Sequence, residues 1–253
     1  MSMDSTGPAL SGSPVCQNPL HRSTRGRIDV ISDLRQFLEW MLLAIAALMP
    51  IVNPLGGAPV YLAQTVDLTA SQHADLARRV AINCFLLLLA SLLVGAYVLE
   101  FFGLSIPVVQ VAGGLVVCSL GWSMLTQPDE PPASVKDATR ALTQADPGTR
   151  AFYPLTMPLT VGPGSISVAI TLGANHSRGM RSLVIESLAH TAGIVVVAVS
   201  IFLTYRYADR VLKRLGPTGT VVLVRLSAFI LLCIGVQIGW NGVSALLRSL
   251  QPH

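Results

Sequence analysis

Charge is what this chain has least of. Only 12% of its 253 residues are Asp, Glu, Lys or Arg, about half the share found in soluble domains, and too few to coat a water-exposed surface of this size. Aromatic residues are also thin, at 6%, which argues against a wide aromatic-lined cavity of the kind a drug exporter needs. The cysteines, Cys16, Cys84, Cys118 and Cys233, form no CxxC and no Cys/His cluster. That excludes a disulfide framework and a zinc site, and no metal ligation is expected. There is no GxSxG elbow, HExxH pair, P-loop or dinucleotide-binding glycine fingerprint. No enzyme activity and no cofactor is therefore expected. The formal charge of +4 is spread over tails and connections without interleaved aromatics, so nucleic acid is not an expected partner.

What the chain has instead is apolar length. Hydrophobic residues make up 52% and the mean hydropathy is +0.61. Six stretches approach or exceed the roughly 20 residues that cross a bilayer: Phe37 to Gln64, Val80 to Phe102, Leu104 to Leu125, Phe152 to Ala174, Leu183 to Tyr205 and Thr220 to Leu247. The composition predicts an all-α, multi-pass membrane protein surrounded by lipid.

Two of those stretches carry helix breakers at matching places. The first reads Met49-Pro50-Ile51-Val52-Asn53-Pro54-Leu55-Gly56-Gly57-Ala58-Pro59, and the fourth reads Met157-Pro158-Leu159-Thr160-Val161-Gly162-Pro163-Gly164-Ser165. A break at membrane depth exposes backbone N–H and C=O groups that cost several kcal/mol unless protein, water or a ligand satisfies them. Paired breaks in two halves of a chain are the sequence pointer to a carrier's binding site.

The halves are marked by composition. Residues 1–36 form a Ser-, Pro- and Arg-rich tail read as disordered, 37–125 hold three spans, 126–151 form a polar linker, 152–247 hold three more spans and 248–253 end the chain. Within the linker a short helix is expected from Ser134 to Gln144, with Ser134 and Asp137 at capping-box spacing. Three spans per half make the second half enter from the other side, so related halves form an inverted repeat. Val109-Gln110-Val111-Ala112-Gly113 in the third span can be laid on Val224-Arg225-Leu226-Ser227-Ala228 in the sixth. With distant tail arginines set aside, the side holding the termini has 4 Lys and Arg against 9 on the other. By the positive-inside rule both termini are expected outside the cytoplasm.

The run Asn53 to Leu62, the run Pro158 to Ile166, and Ala112-Gly113-Gly114-Leu115 in the third span together resemble the MarC family of six-span bacterial inner-membrane proteins. The resemblance covers about Leu34 to Leu247. It implies a location in the bacterial inner membrane and membership of a group that includes transporters of small neutral amino acids such as alanine, glycine and serine. Where that family often has a basic residue before Ala-Gly-Gly, this chain has Gln110, while Arg225 keeps the comparable place in the sixth span.

The residues at the breaks suit a zwitterion. Free amides near Gly164, Ser165 and Ile166, at the start of a second half-helix, offer a positive dipole end for a carboxylate. Asn53 and the carbonyls beside it can accept from an ammonium group. The expected substrate-binding set is Asn53, Pro54, Gly56, Gly57 and Pro59 with Thr160, Gly162, Pro163, Gly164 and Ser165. The competing reading is that these residues only kink helices and allow close packing. Candidates for coupling to H+ or Na+, or for gating, are Glu186 and His190, four apart on one face, together with Arg225 and Gln110. Gln237, Asn241 and Ser244 are spaced to line one inward face of the sixth span, and Gly235 with Gly239 gives a GxxxG contact. A lipid-interacting or scaffold protein with no soluble substrate is the alternative from another class.

Overall fold

The computed structural model describes residues 19–65, 68–126, 150–174 and 180–249. The helix expected at Ser134 to Gln144 lies outside the described residues, as do residues 1–18 of the tail. All regular structure among the described residues is helical. Helix α1 (Pro19–Val52), which begins inside the segment read as tail, is followed directly by α2 (Pro54–Ala63). Then come α3 (Ala70–Phe101), α4 (Ile106–Thr126), a wide-turned segment α5 (Ala151–Thr160), α6 (Pro163–Ala174), α7 (Met180–Arg206) and α8 (Ala208–Ser249). Among the described residues five helices are long and apolar enough to cross a membrane, one of them the 32-residue stretch Ser32–Ala63 made by α1 and α2, and α5 with α6, bent by 73°, makes a sixth if the pair is counted as one span.

The spans match the hydropathy reading, but α3 starts ten residues before Val80. Gln72 sits three residues after Thr69, and the Thr69 N–H donates to Gln72 Oε1 at 2.8 Å. This cap lets the helix rise through the polar turn carrying Asp75, Arg78 and Arg79 before it enters lipid. At its far end a positive-φ glycine, Gly103 (φ 66), turns the chain back into α4. Gly216 (φ 68) does the same inside α8, setting residues 208–215 at an angle to the span Thr218–Ser249; only glycine takes this conformation without strain.

Pairwise contacts fix the order of helix ends. α1 and α7 run parallel: Arg181 pairs with Asp33, Gln36 Nε2 donates to Ser182 Oγ at 3.0 Å, Gly193 packs on Ala44 and Ser200 Oγ donates to Met49 at 3.3 Å. α4 and α8 run antiparallel, backbone against backbone. A β-carbon on Gly114 would lie 2.5 Å from Gly239 N, and one on Gly235 would lie 2.6 Å from Cys118 N. Gly121 and Gly242 extend the same seam. Lipid tails supply no hydrophobic drive between helices, so this approach through small residues is what holds the third and sixth spans together. The expected GxxxG pair is thus half of a longer seam, in which Gly235 presents its missing side chain and Gly239 its main chain. One end of the bundle consequently carries Asp33, Ile106, Ala174, Met180 and Ser249, and the other carries Ala63, His73, Thr126, Arg150 and Arg206.

Candidate functional site

The first break is made by Asn53 and Pro54. Proline disfavours the α conformation in the residue before it, and Asn53 adopts φ 41, ψ 65, a left-handed geometry that asparagine tolerates better than most residues. Its Oδ1 accepts from Gly56 N at 3.1 Å, capping α2. Gly56 abuts Ser227 of α8, and Gly57 abuts the Tyr205 hydroxyl.

The second break departs from two ordinary half-helices. Pro154 and Pro158 each remove a donor and leave Tyr153 (φ −121, ψ 124) and Met157 (φ −121, ψ 126) extended. The segment closes through wider, five-residue turns in which two threonine hydroxyls each donate to the carbonyl five residues back. Thr156 Oγ1 donates to Ala151 O at 2.7 Å, Thr160 Oγ1 donates to Leu155 O at 2.6 Å, and Val161 N donates to Thr156 O at 2.8 Å. Beyond it, Ser165 Oγ donates to Gly162 O at 2.9 Å, and Gly164 lies against Val117 of α4.

One tyrosine joins the two breaks. The Tyr205 hydroxyl lies 2.8 Å from Thr160 Oγ1 in the second break and faces Gly57 in the first. Its ring stacks on Tyr61 with centroids 4.5 Å apart, and Tyr61 donates its hydroxyl to His73 O at 2.9 Å. Tyr61, Tyr205 and Thr160 are buried. They form a buried polar layer near the Arg206 end of the bundle.

A cavity lies on each side of that layer. Toward the termini, one of 330 Å³ is bounded by Pro50 and Ile51 at the first break, Gln110 of α4, Thr171 of α6, and Gln237 and Asn241 of α8. Gln110 Nε2 donates to Thr171 Oγ1 at 3.1 Å, and Gln237 Nε2 donates to Asn241 Oδ1 at 2.9 Å. Toward the other end, a vestibule of 630 Å³ is lined by His73, Tyr205, Arg206, Tyr207, Asp209 and Arg210. A third hollow, 440 Å³ and nearly all apolar, runs between α3 and α7 with Arg78 at its margin.

These positions sort the expected residues. Gly56 lies between Asn53 and Ser227, Gly57 and Thr160 meet Tyr205, and Pro54 is buried at the start of α2, while Gly164 is buried against Val117 of α4 and Ser165 is buried next to it in the chain. Pro59 is half-buried, and Gly162 and Pro163 lie at the bend between α5 and α6. None of these expected residues lines any of the three cavities. Gln110 does line one, and Gln237 and Asn241 line it with Gln110. Glu186 and His190 are both 2% exposed, and His190 meets the Trp40 ring edge-on at 5.8 Å. That places them between α7 and α1, away from the carboxamide cavity. Arg225 is exposed and also off that cavity.

Thr171, Tyr61 and Tyr205 were not singled out by sequence. A hydroxyl four residues after Ser167 on the fourth span was a usable signal for Thr171. The tyrosines carried none beyond lying near span ends.

Comparison with known proteins agrees with a membrane protein. The model of the MarC family integral membrane proteins matches residues 38–247. A UPF0056 membrane protein of Methanocaldococcus jannaschii is 31% identical over 211 residues, covering 83% of this chain and 98% of its own. The UPF0056 inner membrane protein MarC of Salmonella typhimurium is 28% identical over 211 residues, covering 82% and 95%. Its namesake from Escherichia coli is 28% identical over 213 residues, also covering 82% and 95%. No solved structure matches the chain.

Proposed function

The chain belongs to the MarC family of integral membrane proteins, and from that premise we propose that it is a secondary carrier of a small polar solute, with small neutral amino acids as the class to test first. The reading rests chiefly on one observation: along the first span one cavity lies beside Pro50 and Ile51 and another beside Leu62, and the stretch between them holds the first break, which Tyr205 joins to the second. A solute held beside the first break needs only that layer to open, and the termini side to close, in order to change sides. Such an exchange calls for two halves that move against one another. The matched breaks in the first and fourth spans, and the close seam between third and sixth, support an inverted repeat of two three-helix halves.

The arginines of the Arg206 end, Arg78, Arg79, Arg150, Arg206 and Arg210, support placing that end in the cytoplasm, with the termini outside. An inner-membrane location follows the names of the Salmonella and Escherichia relatives. Binding and passage, rather than catalysis, account for the polar groups found inside the bundle.

Reconstituted protein tests the reading directly. With labelled alanine, glycine and serine, proteoliposomes should take up at least one of them saturably, above protein-free vesicles. Correctly inserted protein with no flux of any of the three would contradict the amino-acid carrier.

A further inference from the structure

The cavity on the termini side has a lining whose chemistry is narrower than the carrier reading requires. Its polar side chains are three carboxamides, Gln110, Gln237 and Asn241, and one hydroxyl, Thr171; no ionisable side chain lines it. Gln237 and Asn241 are exposed although they lie well inside the span Thr218–Ser249. Polar amides turned to hydrocarbon at that depth are costly, so they are placed where water or a solute meets them.

Their mutual bond uses one donor and one acceptor. Each carboxamide has two donor hydrogens and an oxygen with two lone pairs, so Asn241 Nδ2 and Gln237 Oε1 make no hydrogen bond among the described residues. On the opposite wall the Gln110–Thr171 bond likewise leaves Gln110 Oε1 as an acceptor. The cavity thus presents donors and acceptors in balance, around a volume of 330 Å³, equal to about ten waters at roughly 30 Å³ each.

We propose that this cavity is a binding site for a small solute of no net charge, held through its own donors and acceptors by the carboxamides of Gln110, Gln237 and Asn241 and the Thr171 hydroxyl. The side chains supply dipoles of both signs and no net charge. A zwitterion or an uncharged polyhydroxy solute meets a partner for each of its groups there, whereas a net anion or cation is stripped of water with no opposite charge in return. The proposal deepens the carrier reading in assigning the site to transport; the binding itself stands on the lining.

Thermal unfolding of the full chain purified from membranes tests it, with serine, alanine and glycerol as neutral probes and aspartate and lysine as charged ones. At least one neutral probe should raise the melting temperature, and the charged probes should not. Gln237→Leu and Asn241→Leu should melt like the parent without probe and each weaken probe binding about fivefold or more, the effect of one lost hydrogen bond of about 1 kcal/mol. As a second measure, a lone cysteine at Asn241 should react with a water-soluble thiol reagent, and the binding probe should slow that reaction. Stabilisation by aspartate or lysine, no stabilisation by any neutral probe, or unchanged affinity in both variants overturns the proposal. Flux that persists in those variants displaces the site but leaves the carrier standing. Binding that is lost in the variants, with no flux in the parent, does the reverse.

Discussion

Gly173→Ala is expected to be the most damaging single methyl that can be added to this chain. Gly173 packs α6 directly on the backbone of α3, and a β-carbon there would fall deep inside the contact distance of the Leu92 carbonyl oxygen. The next two atoms it meets, at 2.8 Å and 3.2 Å, also belong to the Leu92 main chain. No rotamer change relieves such a clash, so the helices must part. One turn away Gly95 of α3 is filled by Ile170 of α6, and parting the pair would open that contact as well. Overpacking costs roughly 1–3 kcal/mol where side chains can yield, and here the cost should exceed that range. The expected result is loss of monodisperse protein in mild detergent. Gly162→Ala serves as the control. Its β-carbon would meet only Pro158 O, at 3.4 Å, so its melting temperature should stay within a few degrees of the parent.

Tyr205→Ala should have the second largest effect. The ring is 1% exposed and stacked on Tyr61, and deleting a buried aromatic side chain costs about 3–5 kcal/mol in soluble proteins. It would also empty the layer that separates the carboxamide cavity from the arginine-lined vestibule. Vesicles containing this variant should therefore leak solute down its gradient without saturation, if it survives purification. Tyr205→Phe keeps the stack and gives up only the hydrogen bond to Thr160, a loss of about 1 kcal/mol. Thr160 would retain its bond to Leu155 O. A Phe variant as unstable as the Ala variant would show that the hydroxyl, rather than the ring, holds the layer.

Five of the six expected spans were legible because hydropathy is a local property and each stretch is long enough, whereas the fourth is split into two helices bent by 73°. The breaks were legible for a similar reason, since Pro54, Pro158 and Gly162 act on their own backbone. The shape of the second break was not. Only the structure shows that the turns widen and that the Thr156 and Thr160 hydroxyls each bond the carbonyl five residues back. The early start of α3 was written in Thr69 and Gln72, but the charges of Asp75, Arg78 and Arg79 masked it in any hydropathy window.

For the site, spacing placed Gln237 and Asn241 on one face, and that face lines a cavity. What faces them depends on how α4 and α6 pack, and Gln110 and Thr171 are 61 residues apart in sequence. The same holds for the junction of the breaks. Gly57, Thr160 and Tyr205 come from three different spans, and no local pattern brings them together.

That junction is the claim on which the rest depends, and a double-mutant cycle between Gly57 and Tyr205 measures it. A methyl at position 57 would lie 2.6 Å from the Tyr205 hydroxyl but 3.6 Å or more from the nearest ring carbons, so removing the hydroxyl makes room for it. Gly57→Ala should lower the melting temperature by several degrees in the parent and by almost nothing in the Tyr205→Phe background, a coupling within the roughly 0.5–3 kcal/mol seen for residues in contact. Strictly additive effects would mean that the first break does not touch Tyr205, and the joined layer between the two cavities would then lose its support.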